Sequence, residues 1–223
     1  MPVAWDRLAD ATQPVPGAML PLSVITFGEV HSEELVALTP LVAKIEQLVL
    51  DVPPRDAVAK HRAEFNRAID AATSDWVLIV RERETIDEAL AKEIVEAASS
   101  GKARGFRIRS TPFYAGAPLK IGVDEGGELR LFHRRYYLRY ADKGEWKEPM
   151  VQGSVVRLTN AFRSVTFATA AEHREHLAAK AAPHSALRRA LLFASYVLSV
   201  RTLDRNTLRY LWIEAGFDAA ATL

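Results

Sequence analysis

The chain has 223 residues, 49% of them hydrophobic and 26% charged, with a formal net charge of +1 and no cysteine. That composition supports a full core without staples, excludes disulfides, thiolate metal sites and cysteine nucleophiles, and provides no global field favouring nucleic acid. No window reaches the roughly 18 uncharged apolar residues of a membrane span, and the N-terminus lacks the basic-then-apolar pattern of a signal peptide, so a cytoplasmic protein is expected, in keeping with the absent cysteines.

Residues 1–21 carry four prolines and read as an irregular lead-in. Leu22–Phe27 is the first predicted strand; Gly28 ends it, and Ser32 with Glu33 and Glu34 starts a helix over 33–38. Gln47–Val52 predicts a second buried strand, stopped by Pro53 and Pro54. Asp56 is the expected N-cap of a helix reaching Ala72, with Val58, Phe65, Ile69 and Ala72 on its buried side. Trp76–Val80 is a continuous apolar run bounded by charge, which suits a strand buried on both faces. Such strands belong to parallel or mixed sheets covered by helices. Arg81, Glu82, Arg83 and Glu84 follow at once. In open α/β sheets ligands sit beyond the carboxyl ends of the strands, so these charges mark the expected site.

Thr85 and Asp87 can cap a helix running to Ser99, with Ile86, Leu90, Ile94 and Val95 inward. Phe106–Thr111 alternates apolar and charged residues, as a half-solvated strand does, and Leu129–Phe132 alternates likewise. Between them, residues 112–122 read as a turn plus a short strand. Gln152–Leu158 and Phe162–Phe167 predict a further strand pair. From Ala168 alanines and leucines replace prolines and glycines, predicting helices at 170–181, 185–200 and 205–215. The expected division is therefore a domain of 1–167 and a C-terminal helical segment of 168–223.

The ordered series of motifs resembles the bacterial family-2 glycosyltransferases of the lipopolysaccharide-core type. The stretch from Ala63 to Glu84 carries Asn66 and Ala68, then Ala72, Ser74, Asp75, Trp76, Val77 and Leu78, where that family has a helix leading through Gly/Ser-Asp-Trp into a strand. Gly105–Gly116 and Leu129–Arg135 are similar to later segments, and residues 191–205 to the family's amphipathic C-terminal helices. The resemblance spans residues 22–215. It implies an α/β fold of the GT-A type, a Rossmann-like mixed sheet flanked by helices with a C-terminal helical segment. It also implies a nucleotide-sugar ligand and a glycan or glycolipid acceptor of the cell envelope. The family binds its metal, Mg or Mn, through Asp-x-Asp at the end of the third strand. Here Arg81 and Arg83 occupy those positions and only Glu84 matches an acidic one, so no metal or other cofactor is expected. A strand-helix excursion after Val52 that helps wall the family's nucleotide site is missing.

Arginine forks can neutralise a leaving diphosphate without metal. Arg81 and Arg83 therefore have three readings: a diphosphate clamp, a solvated strand end with its charges paired, or a relic of lost chemistry. The resemblance implies that Asp51 holds the donor base; otherwise it is a polar stop before Pro53. An inverting transferase needs a carboxylate base, for which Glu148 is the best positional match, ahead of Asp124 and Glu125; a plain loop glutamate is the alternative. Arg134 and Arg135, with His133, Tyr136, Tyr137 and Tyr140, either hold an anionic acceptor or decorate an edge strand with cations. His173 and His176, three apart, read as a solvated helical face, since a metal pair usually wants i, i+4 spacing and further ligands. Helix 185–200 has a broad apolar side with His184, Arg188 and Arg189 at its start. It either packs on the domain or on a second subunit, or docks peripherally on the inner membrane.

Overall fold

The computed structural model describes residues 20–27, 35–50, 62–120, 126–138, 149–180 and 204–215, with isolated helical positions at 191, 193, 194 and 197. The protein is a mixed α/β structure. Leu20–Phe27 (β1) and Val42–Leu50 (β2) run parallel, and Arg62–Ala71 (α1) leads into Trp76–Arg81 (β3), parallel to β1 on its other side. Glu84–Thr85 (β4) precedes Glu88–Ser99 (α2), whose N-cap Asp87 accepts the Leu90 N–H at 2.9 Å. Gly105–Tyr114 (β5), Ala117–Pro118 (β6) and Glu128–His133 (β7) follow, with β7 antiparallel to both β3 and β5. Tyr137–Leu138 (β8) and Met150–Val151 (β9) form a small separate sheet, and Val155–Phe167 (β10) is a long strand. Ala170–Lys180 (α3) and Arg205–Glu214 (α4) complete the described elements. The main sheet has the order β2-β1-β3-β7-β5-β10-β4, with β6 beside β5.

The chain divides into two compact units, residues 1–109 with 126–162, and 110–125 with 163–223. In the first, the apolar run of β3 explains itself. Trp76, Leu78 and Val80 join Leu90, Ala91 and Ile94 of α2 in one core cluster. Val77 and Ile79 join Phe65, Ala68 and Ile69 of α1 in another. Alternate side chains thus feed opposite faces, each covered by a helix. In the second unit Tyr114, Leu119, Ala170 and Ile213 are buried together, with Phe167, Leu177 and Tyr210 packed on them.

Several expectations need correction. The second strand begins at Val42 and is not doubly buried: β2 ends the sheet order, and Val49 is 56% exposed. The segment Leu35–Leu41 is not α-helical: Leu35 is in a 3₁₀ turn and the rest is turn. It turns through i to i+3 bonds, Leu38 N–H to Leu35 O and Leu41 N–H to Leu38 O, both 2.9 Å, and Pro40 disfavours helical backbone at the residue before it. Residues 33 and 34, Asp56, and most of helix 185–200 lie outside the described residues. The expected strand pair at 152–167 is one strand, β10. Its Thr159 and Asn160 lie between the two predicted strands, and Glu93 of α2 accepts their backbone N–H groups at 2.7 and 2.8 Å and holds them extended. His173 is not on a solvated face but fully buried. Its ring stacks on Phe167 at 4.3 Å, and its Nε2 lies 2.7 Å from Glu214 Oε2.

Two turns need unusual backbone. Ala115 and Gly116 join β5 to β6 with φ of +47° and +82°, the signs of a type I′ hairpin. Gly127 has φ +66°, and a Cβ there would lie 3.1 Å from the Ile108 carbonyl carbon, so only glycine lets β7 start beside β5.

The layering gives a direct test. Leu78→Ala, at a fully buried site in the middle of β3, is expected to cost about 2–5 kcal/mol in denaturant unfolding. Val49→Ala on β2 should cost less than about 0.5 kcal/mol. Equal losses at the two positions would contradict the strand order.

Candidate functional site

The registers align the carboxyl ends of the parallel strands: Phe27 of β1 faces Leu50 of β2 on one side and Arg81 of β3 on the other. Beyond Arg81 the chain turns through Glu82 and Arg83, the latter exposed with φ +64°, and returns as β4. The turn is closed by Glu84, whose Oε2 accepts the Arg81 N–H at 2.9 Å. The Glu84 side chain therefore points inward.

There it meets Arg130 of β7. The guanidinium donates through Nη1 to Oε2 at 3.2 Å and through Nη2 to Oε1 at 3.0 Å, a bidentate fork with both side chains only 2% exposed. Arg130 Nε lies 3.1 Å from Glu128 Oε2, an ion pair without hydrogen-bond alignment. The Arg81 Nη2 donates to the same Glu128 oxygen at 2.6 Å. Two arginines and two glutamates are thus joined in one network. Burial acts to raise the Glu128 pKa, but Arg130 and Arg81, with their hydrogen bonds, outweigh it and hold the carboxyl below its ordinary value.

Alternation in Leu129–Phe132 predicts a half-solvated strand, and the structure corrects this: Arg130 is buried, because β7 lies between β3 and β5 and Phe162 of β10 covers its guanidinium at 5.5 Å. Glu128 and Arg130 are the site residues that the sequence reading missed. The usable signal was the surplus of charge at 81–84, which a strand covered on both faces can bury only against opposite charge.

The basic-aromatic cluster also changes character. Its strand is interior to the sheet, so the edge-strand reading is corrected. Arg134 and Arg135 lie in a 3₁₀ turn after β7. Arg134 donates to the Ala72 carbonyl behind α1, and its N–H to the Asp75 carbonyl at 2.7 Å. Arg135 reaches the Asp75 carboxylate through Nε at 3.2 Å. Together with Ile69, Asp70 and Tyr137 they line an open cleft of about 290 Å³. Tyr137 Oη donates to Asn66 Oδ1 at 2.5 Å. His133 is buried against Trp76, with ring centroids 5.3 Å apart. Burial lowers its pKa, and Arg104, Arg135 and Arg134 act the same way against the opposing pull of Asp75. Asp51, Asp124, Glu125, Tyr140 and Glu148 lie outside the described residues.

The residues at the end of β3 do not fit a divalent metal. Arg81 and Arg83 are cations, and both Glu84 oxygens already accept from Arg130. Among the described residues no group of three or more His, Asp or Glu side chains is arranged to hold a metal ion.

Two outcomes follow. Arg130→Met strands a buried carboxylate and is expected to cost about 3–5 kcal/mol; adding Glu84→Gln should recover most of that loss in urea melts. No recovery would mean that the two side chains do not act as a pair. For pH, His133 has a folded pKa below its ordinary value of 6.5. As pH falls from that value the unfolded chain takes up the proton first, so stability falls. Glu128 adds a further loss as pH drops below the ordinary 4.5 through its lowered folded value. His133→Gln should flatten the first of these slopes, measured as unfolding free energy against pH, and leave the second.

No protein-family model matches the chain, and no curated protein matches it. Among solved structures it is similar to the crystal structure of S. aureus TarS residues 1–349, with a TM-score of 0.35 and 8% sequence identity over 91% of this chain and 73% of that one. A likeness of that degree is too slight to rest a function on.

Proposed function

We propose that this protein is a glycosyltransferase-like binding module, in which the scaffold for a nucleotide-activated sugar is kept and the metal-holding corner has become part of the core. The observation that supports it is the network that joins Arg81, Glu128, Arg130 and Glu84. A metal-assisted transferase needs carboxylates that face the diphosphate and the cation together. Here the one matching carboxylate, Glu84, faces inward to Arg130, and Arg81 is drawn sideways to Glu128. In this reading a nucleotide diphosphate meets the ends of β1, β2 and β3, with Asp51 toward the base and Arg83 toward the phosphates. Arg134 and Arg135 serve a glycan or glycolipid acceptor at their cleft.

A second reading, metal-independent transfer, is favoured by accessibility. Arg81 is 32% exposed and Arg83 is exposed, so a diphosphate can reach both and draw Arg81 from Glu128. Glu148 is then the base that takes the proton of the acceptor hydroxyl.

Thermal-shift titration separates the readings. Nucleoside diphosphates and nucleotide sugars should raise the melting temperature without Mn²⁺, by about 5 °C at a hundredfold excess over Kd, and Arg83→Ala should abolish the shift. Release of nucleoside diphosphate from the sugar donor would select transfer over binding. No shift with any nucleotide would overturn the nucleotide-binding reading, and a shift that requires Mn²⁺ would overturn the account of the β3 corner.

A further inference from the structure

α4 has two unlike faces. Thr207, Leu211 and Ile213 are buried in the second unit. Arg205, Leu208, Arg209 and Trp212 are all exposed and follow one another at i, i+3, i+4 and i+7, the spacing of a single helical stripe. Leu208 is 37% and Trp212 43% exposed. The Trp212 ring meets Phe193 edge-on at 5.3 Å, and Leu191, 62% exposed, adds to the apolar surface of the same unit.

Among the described residues of α4 and its cap, the charged side chains are Arg205, Arg209, Asp204 and Glu214. Both carboxylates are turned to internal partners. Asp204 caps α4, accepting the Thr207 N–H at 2.9 Å, and Glu214 lies 2.7 Å from the His173 ring. Among the described residues, the stripe that α4 presents outward is therefore cationic and apolar.

We propose that this face docks on an anionic phospholipid surface. Arginines flanking leucine and an indole match the two layers of a bilayer interface, phosphate above and acyl chain below, and tryptophan is the side chain enriched at that depth. A second copy of the chain is a poorer occupant. A two-fold interface sets a patch against itself, which would gather the arginines of both copies into one contact. Nucleic acid would satisfy the arginines but leave Leu208 and Leu191 uncovered. The proposal is independent of nucleotide binding, because vesicle binding is read with no nucleotide present.

The test is co-sedimentation of the full chain with phosphatidylcholine vesicles made with and without phosphatidylglycerol. Binding is expected only with the anionic lipid and should fall as salt rises. Arg205→Gln and Arg209→Gln should each weaken it roughly fivefold, and Trp212→Ala roughly tenfold. All three sites are exposed, so melting temperatures should hold. Tryptophan quenching by brominated acyl chains should be lost specifically in Trp212→Ala. The proposal is overturned by an absence of sedimentation with anionic vesicles or by equal binding of wild type and variants. It is also overturned by a solution dimer that Trp212→Ala dissolves, or by RNA binding that depends on the arginines while vesicles are ignored.

Discussion

A guanidinium removed from water has to find its counter-charge where it stands, and Arg130 does so between two glutamates. Taking an ion pair into a low-dielectric interior costs several kcal/mol per ion, offset only when geometry and hydrogen bonding are good. The bidentate fork to Glu84 meets that condition. It also explains the chain around it. Glu84 can turn inward because Arg81 donates its backbone N–H to the same carboxylate, which sets the tight turn and the left-handed Arg83. Glu128 sits where Arg81 and Arg130 can share one oxygen, because Gly127 lets β7 begin close beside β5.

That arrangement bears on function through geometry rather than through charge count. Arginines in place of metal-facing carboxylates look in sequence like a substitution of one diphosphate-neutralising device for another. In the fold Arg81 is bonded to Glu128 of a neighbouring strand, and Glu84 is buried. The end of β3 has the charge of a ligand site but much of it is spent on internal structure.

Much of the fold was legible because local signals agreed with one another. The run Trp76–Val80 could only be doubly buried, and Asp87 capped the helix it was expected to cap. What failed did so where the deciding group was distant in sequence. Thr159 and Asn160 fell between two predicted strands, yet Glu93 holds them extended from another element. Val49 has the side chain of a core strand, yet no pattern in Val42–Leu50 says that the strand closes the sheet order. The pairing of His173 with Glu214 depends on α3 meeting α4, about which spacing along α3 is silent. Part of the apparent functional signature proved architectural as well. Ser74 donates its N–H to Ser23, Thr73 bonds Glu46, and Asn66 accepts from Tyr137, so the segment leading into β3 ties its loop to β1 and β2, and α1 to β8.

The hairpin at Ala115–Gly116 has a consequence of another kind. A left-handed alanine is held there against its steric preference by the strands on either side. A Cβ at Gly116 would meet nothing within 4 Å, so the tip is open. It is therefore a natural point at which to graft a reporter peptide or relocate the chain termini. An insertion that relaxes Ala115 would remove strain while leaving untouched the β5–β6 pairing of Tyr114 with Ala117.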